Sequence, residues 1–190
     1  MTTRQVFFVL AIAVGAVVFL AFKAFELISP SQRALKKAKR GDVKGAEADL
    51  KALLQKGDDA AARAALGQVY LLDGRAEDAA VELRRAVELG SRSAGTLNAL
   101  GWALVRLERY DEALPVAEDA KKKAREDFEV YCLYCGLMAQ HGRAQEVASL
   151  FEFLKTTAAQ IQKLNAAKFR AAYEDKFEFA RSRMATAGLT

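Results

Sequence analysis

Two prolines, two cysteines and a single histidine among 190 residues exclude several kinds of protein at once. So little proline beside 52% apolar residues argues against an extended or disordered chain. Cys132 and Cys135 are too few for a disulfide framework, and three residues apart on a helix they are poorly placed to bridge, so a reducing compartment suits them. His141 lies nine residues beyond Cys132, about 180° round a helix at 100° per residue, so these groups cannot close a four-ligand zinc site. A redox pair would open a helix after a strand, and the alternating β-branched runs that make strands are missing too. No glycine-rich phosphate loop follows a strand, and no serine has a base to activate it. The expectation is a protein with no catalytic residue, no metal, no cofactor and no small-molecule substrate. What remains is the vocabulary of helices: Ala, Leu, Glu, Lys and Arg dominate from residue 31 onward, and the fold class expected is all-α.

Behind a short N-terminus, residues 1–5, the stretch from Val6 to Phe22 runs 17 residues without a charged side chain and continues to Ile28 before Pro30 ends it. Seventeen helical residues rise roughly 26 Å and the full 6–28 segment roughly 35 Å, which brackets a bilayer's hydrocarbon thickness once Lys23 reaches the interface. Residues 6–28 therefore read as a single transmembrane helix, with a cleavable signal peptide as the rival reading. Ala11 and Gly15 form a small-xxx-small pair for packing against another span. Ser29, Pro30 and Gln32 signal a fresh helix start, giving a basic juxtamembrane helix over 29–40.

Positive charge is concentrated at that flank. Residues 1–40 carry seven basic and one acidic group, residues 41–160 sixteen and twenty, and residues 161–190 six and three. The sequence pI of 9.2 is thus a membrane-flank effect, and a mildly acidic folded domain has no use for nucleic acid. By the distribution of Lys and Arg, the C-terminal domain is expected on the cytoplasmic side. The same flank also suits anionic headgroups, which leaves the opposite orientation open.

The rest of the chain repeats. "LGQVYLLDGRAEDAA" from Leu66, "LGWALVRLERYDEAL" from Leu100 and "YCGLMAQHGRAQEVA" from Tyr134 share one skeleton at a spacing of 34 residues. Apolar positions such as Leu97, Leu100, Leu104 and then Ala113, Ala117, Ala120 describe two facing helices per unit. Such a pair cannot bury its apolar face alone, so the copies must stack.

This pattern resembles the tetratricopeptide repeat (TPR). Leu66, Gly67, Tyr70, Ala79, Leu83 and Ala86 carry it in residues 60–93. Leu97, Leu100, Gly101, Leu104, Ala113, Ala117 and Ala120 carry it in 94–127. Residues 128–161 match more loosely, through Tyr134, Cys135, Gly142, Phe151 and Leu154. Residues 41–59 reproduce a turn and a second helix with Ala46, Leu50 and Leu53, so the domain over 41–161 is expected to be an α-solenoid of about three to four helix pairs. Pro115 falls inside a second helix, where it should kink or delay it. Residues 162–190 read as one amphipathic C-terminal capping helix and tail, with a stripe running through Ile161, Asn165, Phe169, Tyr173 and Phe177 to Met184. Phe153 and Phe179 fall off the core-facing stripe and are candidates for an interface.

The resemblance implies function as well as fold. In that family, first helices line an inner groove that receives a segment of a partner. The matching positions include Ala64, Gln68, Leu71, Asn98, Trp102, Val105, Arg106, Glu129, Cys132 and Gly136. Trp102 is the expected anchor, unless it is tucked under a neighbouring helix. The family's carboxylate clamp needs basic residues where this chain has Ala64, Glu129 and Leu133, so a terminal carboxylate is not the expected ligand. The reading is a single-pass adaptor of a bacterial inner membrane that recruits a membrane-associated protein partner. The alternative is a structural accessory subunit of a larger membrane complex, held through Ala11 and Gly15.

Overall fold

The computed structural model describes residues 29–124 and 126–189; the span read over 6–28, with Ala11 and Gly15, lies outside them. No helix among the described residues is long and apolar enough to cross a membrane. The described chain is all-α, with ten α-helices and one short 3-10 turn. They are α1 (Pro30–Lys39), α2 (Val43–Leu54), α3 (Ala60–Leu72), α4 (Ala76–Glu88), α5 (Ala94–Arg106), α6 (Tyr110–Lys123), α7 (Phe128–Gln140), α8 (Ala148–Leu164), α9 (Ala166–Ala172) and α10 (Glu174–Thr186).

Each start has a local cause. Ser29, Asp42, Asp59, Ser93 and Asp127 each accept a hydrogen bond from the backbone N–H three residues on, which satisfies a donor that the helix leaves orphaned. The turns recur with the sequence period. Gly74, Glu108 and Gly142 all adopt positive φ, at +79°, +57° and +71°. The residue after each donates back into the preceding helix: Arg75 to Tyr70 O, Arg109 to Leu104 O and Arg143 to Met138 O, at 2.9, 2.9 and 2.8 Å. This closes a Schellman motif at the end of α3, α5 and α7. The same three arginines then reach forward to Asp78 in α4, Glu112 in α6 and Glu146 in the 3-10 turn before α8, at 2.7, 2.6 and 2.8 Å. The Gly-Arg signature thus stops one helix and orients the next.

Helix pairs α3–α4, α5–α6 and α7–α8 stack in order, each second helix meeting the first helix of the next unit. Gly67 in α3 faces Leu83 of α4, and Gly101 in α5 faces Leu133 of α7. Cys135 occupies the corresponding position in α7 and is fully buried. The segment over 29–40 joins the stack: α1 packs on α2 and α3 through Ala34 and Ala38, taking the place of a first helix in the leading pair.

Two expectations are corrected. Of the kink or delay expected of Pro115, the delay is not seen, because α6 begins at Tyr110 and the exposed Asp111 can present the carbonyl freed by the proline to water. The C-terminal region is not one capping helix. Asn165 turns its side chain to the N–H of Lys168 and caps a new helix, and Tyr173 marks a second break at φ −129° and ψ −20°. Freed by these breaks, α10 packs chiefly on α7 and little on α8, so it lies along the inner face of the last unit instead of closing its end.

Candidate functional site

The first helices α1, α3, α5 and the start of α7 border a concavity of about 630 Å³, closed on its remaining side by residues 170–176. Of the positions expected to line a groove, Gln68 and Leu71 come from α3, and Asn98, Trp102, Val105 and Arg106 from α5. Glu129 of α7 completes a set of seven. Cys132, also expected there, does not belong to it. It is fully buried, since α10 lies over the face of α7 that carries Glu129, Cys132 and Gly136 at helical spacing. Ala64 is buried as well.

The groove wall is held by polar contacts that the sequence pattern did not announce. Arg106 donates from Nη1 to the Leu71 carbonyl at 2.6 Å, tying α5 to the last turn of α3. Glu129 Oε2 lies 3.0 Å from Lys176 Nζ of α10 and accepts a long hydrogen bond of 3.5 Å from Asn98 Nδ2. One turn beyond Asn98, the half-buried indole of Trp102 meets Phe179 edge-to-face, with centroids 5.4 Å apart. Both readings of Trp102 hold together: it borders the groove and is covered by a neighbouring helix, one from the chain's own C-terminus. Phe179 also closes over Gly136, where a Cβ would run into its ring. Phe153, the other outlying aromatic, stays 45% exposed on α8.

Among the described residues, three buried side-chain polar atoms have no hydrogen-bond partner: Asn98 Oδ1, Trp102 Nε1 and Arg183 Nε. Trp102 and Arg183 sit where α10 meets the repeats and Asn98 one turn before Trp102, and each such orphan costs about 1–3 kcal/mol. Asn98 Oδ1 is an acceptor and Trp102 Nε1 a donor, one helical turn apart, and both are closed off from solvent.

The thiols are of another character. Burial pushes Cys135 up to about 12, and burial, then the neighbouring Cys135 and Glu129, pushes Cys132 upward too, so both stay protonated and poor nucleophiles. His141 contacts the Leu137 carbonyl through Nδ1 at 2.8 Å and Asp111 through Nε2 at 3.1 Å, away from both cysteines. No three His, Cys, Asp or Glu groups among the described residues converge as metal ligands would.

Solved structures with this arrangement include YrrB, described as a TPR protein with an unusual peptide-binding site. Its TM-score is 0.61 at 20% identity, over 81% of this chain and 82% of that one. The fold is a TPR fold. MamA matches at a TM-score of 0.59 and 19% identity, over 84% of this chain and 97% of MamA. PilF of Pseudomonas aeruginosa matches at a TM-score of 0.58 and 22% identity, over 84% of this chain and 87% of PilF. No family model and no curated protein matches the chain.

The groove residues reported by this TPR fold were readable from helical spacing within each repeat. Lys176, which lines the groove, and Phe179 and Arg183, which lie beside it, were not, because α10 returns to the repeats only through the two chain breaks. One signal pointed their way: Phe179 does not fit the amphipathic stripe of its own segment.

Proposed function

We propose that this chain is a non-enzymatic adaptor that holds a segment of a protein partner in the groove between α1, α3, α5 and α7, at a membrane to which residues 6–28 tether it. The observation that carries the reading is the convergence of Gln68, Leu71, Asn98, Trp102, Val105, Arg106 and Glu129 from three first helices on one concavity of about 630 Å³. Polar side chains interleaved with apolar ones along such a concavity suit a ligand that carries both backbone amides and side chains. The half-buried Leu35 and Leu71 beside them and the exposed Leu72 offer apolar contact, which suits a peptide better than a small polar metabolite. YrrB, of similar fold, is described as having a peptide-binding site, which supports a peptide as the class of ligand. The tether rests on the uncharged run from Val6 to Phe22 and on the basic flank behind it, whose sign favours the domain on the cytoplasmic side.

A photo-crosslinking residue placed at Gln68 in the full-length protein tests the groove, with Val81, 65% exposed on α4, as the control position. Adducts of defined mass are expected from Gln68, absent from Val81 and lost when Asn98→Ala is added to a folded chain. Adducts that form equally at both positions, or that survive Asn98→Ala, overturn the groove reading. Separately, the full chain is expected to resist alkaline extraction from membranes, and removal of residues 1–28 to release it. Retention without them removes the tether.

A further inference from the structure

α10 occupies the inner face in the way a bound helix would. Lys176 pairs with Glu129 at 3.0 Å, Phe179 fills the space that Gly136 leaves without a side chain, and Arg183 reaches the Tyr110 hydroxyl at 3.4 Å. Three contacts at positions i, i+3 and i+7 make one stripe of a helix, the spacing by which a helical ligand lies in a groove. The stripe is charged at both ends and aromatic in the middle, and it meets a carboxylate, a glycine cradle with Trp102, and a phenol.

The fit is incomplete. Ala180 and Met184 are the buried residues of α10, and two polar atoms without partners, Trp102 Nε1 and Arg183 Nε, belong to this contact. The connection is short and broken twice, at Asn165 and Tyr173, and of the seven residues of α9 only Phe169 is buried. Ala180 and Met184 seat α10 on α7 and Phe177 stacks among Phe128, Phe151 and Phe169, yet α10 is the last helix and lies behind two breaks, so it can leave without unthreading the repeats.

We propose that α10 is a displaceable resident of the groove. Resting on the groove reading above, the inference names the partner's chemistry: an amphipathic helix carrying a lysine, an aromatic and an arginine at the spacing of Lys176, Phe179 and Arg183. Such a helix takes the place of α10 and, with polar groups suited to Asn98 Oδ1 and Trp102 Nε1, binds better than the resident does. Its departure exposes Cys132 and Gly136 and extends the groove along the whole of α7.

Trp102 is the chain's single tryptophan, so its emission reports the contact directly. The probe is a fluorescein-labelled synthetic peptide of residues 174–186, added to the full-length protein. With Lys176→Glu and Phe179→Ala together, Trp102 emission is expected to move to the red. The labelled peptide is expected to bind this variant roughly tenfold or more tightly than it binds the wild type and to move the emission back. A peptide carrying the same two substitutions is expected not to bind. Gly136→Ala gives a second route that leaves the sequence of α10 intact and favours helix in α7: it too is expected to shift Trp102 to the red at unchanged far-UV ellipticity, and decides if the double variant fails to fold. Unmoved emission in Gly136→Ala, or equal affinity of peptide for wild type and a folded double variant, overturns the proposal and makes α10 a fixed part of the fold. Crosslinks from Gln68 that persist in that case leave the groove reading standing, and their loss beside intact peptide binding removes that reading alone.

Discussion

The ring of Phe179 stands edge-on to the indole of Trp102, with centroids 5.4 Å apart and planes at 71°, so the C-terminal helix α10 and the second repeat share one aromatic contact. Such pairs contribute about 0.5–1.5 kcal/mol beyond area burial. A double-mutant cycle of Trp102→Ala and Phe179→Ala, read by urea unfolding, is expected to show a coupling of that size. Additive effects within about 0.3 kcal/mol would mean the rings do not meet in solution.

The contact also marks where reading by sequence stops. Caps and turns were readable because they are local: Ser29, Pro30 and Gln32 lie within four residues, and the Gly-Arg turn recurs at fixed spacing. The groove face was readable because i, i+3 and i+4 positions share a side of a helix whatever packs on it. The break at Asn165 was missed because a helix former sits on both sides and no glycine or proline announces it; a side chain competing for one backbone N–H decides the matter. The return of α10 was missed for a different reason. Lys176 meets Glu129 and Phe179 meets Gly136 across more than forty residues of chain, and no periodicity encodes such a meeting.

Glu108 is the one member of the three repeated turns that is not glycine, and it holds φ +57°. A side chain in the left-handed region costs about 1–2 kcal/mol, which glycine at the same position avoids. Glu108→Gly is therefore expected to stabilise the fold by about 0.5–1 kcal/mol and to raise Tm by roughly 2–4 °C. A lower Tm in thermal unfolding would show that the side chain has a stabilising role that the turn geometry does not reveal.

Gly67 and Gly95 lie in first helices of successive units but answer substitution differently. A Cβ on Gly67 would press on Leu83 and come within 3.1 Å of the Ala79 carbonyl oxygen, which is backbone and cannot move aside cheaply. Overpacking of this kind costs about 1–3 kcal/mol, against at most about 1 kcal/mol gained in helix propensity. Gly67→Ala is expected to lose about 1–2 kcal/mol. A Cβ on Gly95 meets nothing closer than Ser93 Oγ at 4.0 Å, so Gly95→Ala is expected to be neutral or to gain up to about 1 kcal/mol. Equal urea midpoints for the two variants would contradict the close crossing of α3 and α4.

The buried thiols tie stability to alkaline pH. Cys135 is held in its neutral form by burial, with a folded value of about 12 against an ordinary 9.0, and Cys132 shifts in the same direction. A raised folded value means the unfolded chain releases its proton first, so the contribution is whole below pH 9 and is lost as pH climbs from 9 toward 12. Each thiol is expected to remove about 1.4 kcal/mol of stability per pH unit across that window. The measurement is urea unfolding at pH 7.5 and pH 10 for the wild type and for Cys132→Ala with Cys135→Ala. The wild type is expected to lose stability relative to the double variant at the higher pH. Parallel losses in the two proteins would place the thiols in contact with water, and with them the inner face of α7 that α10 is argued to cover.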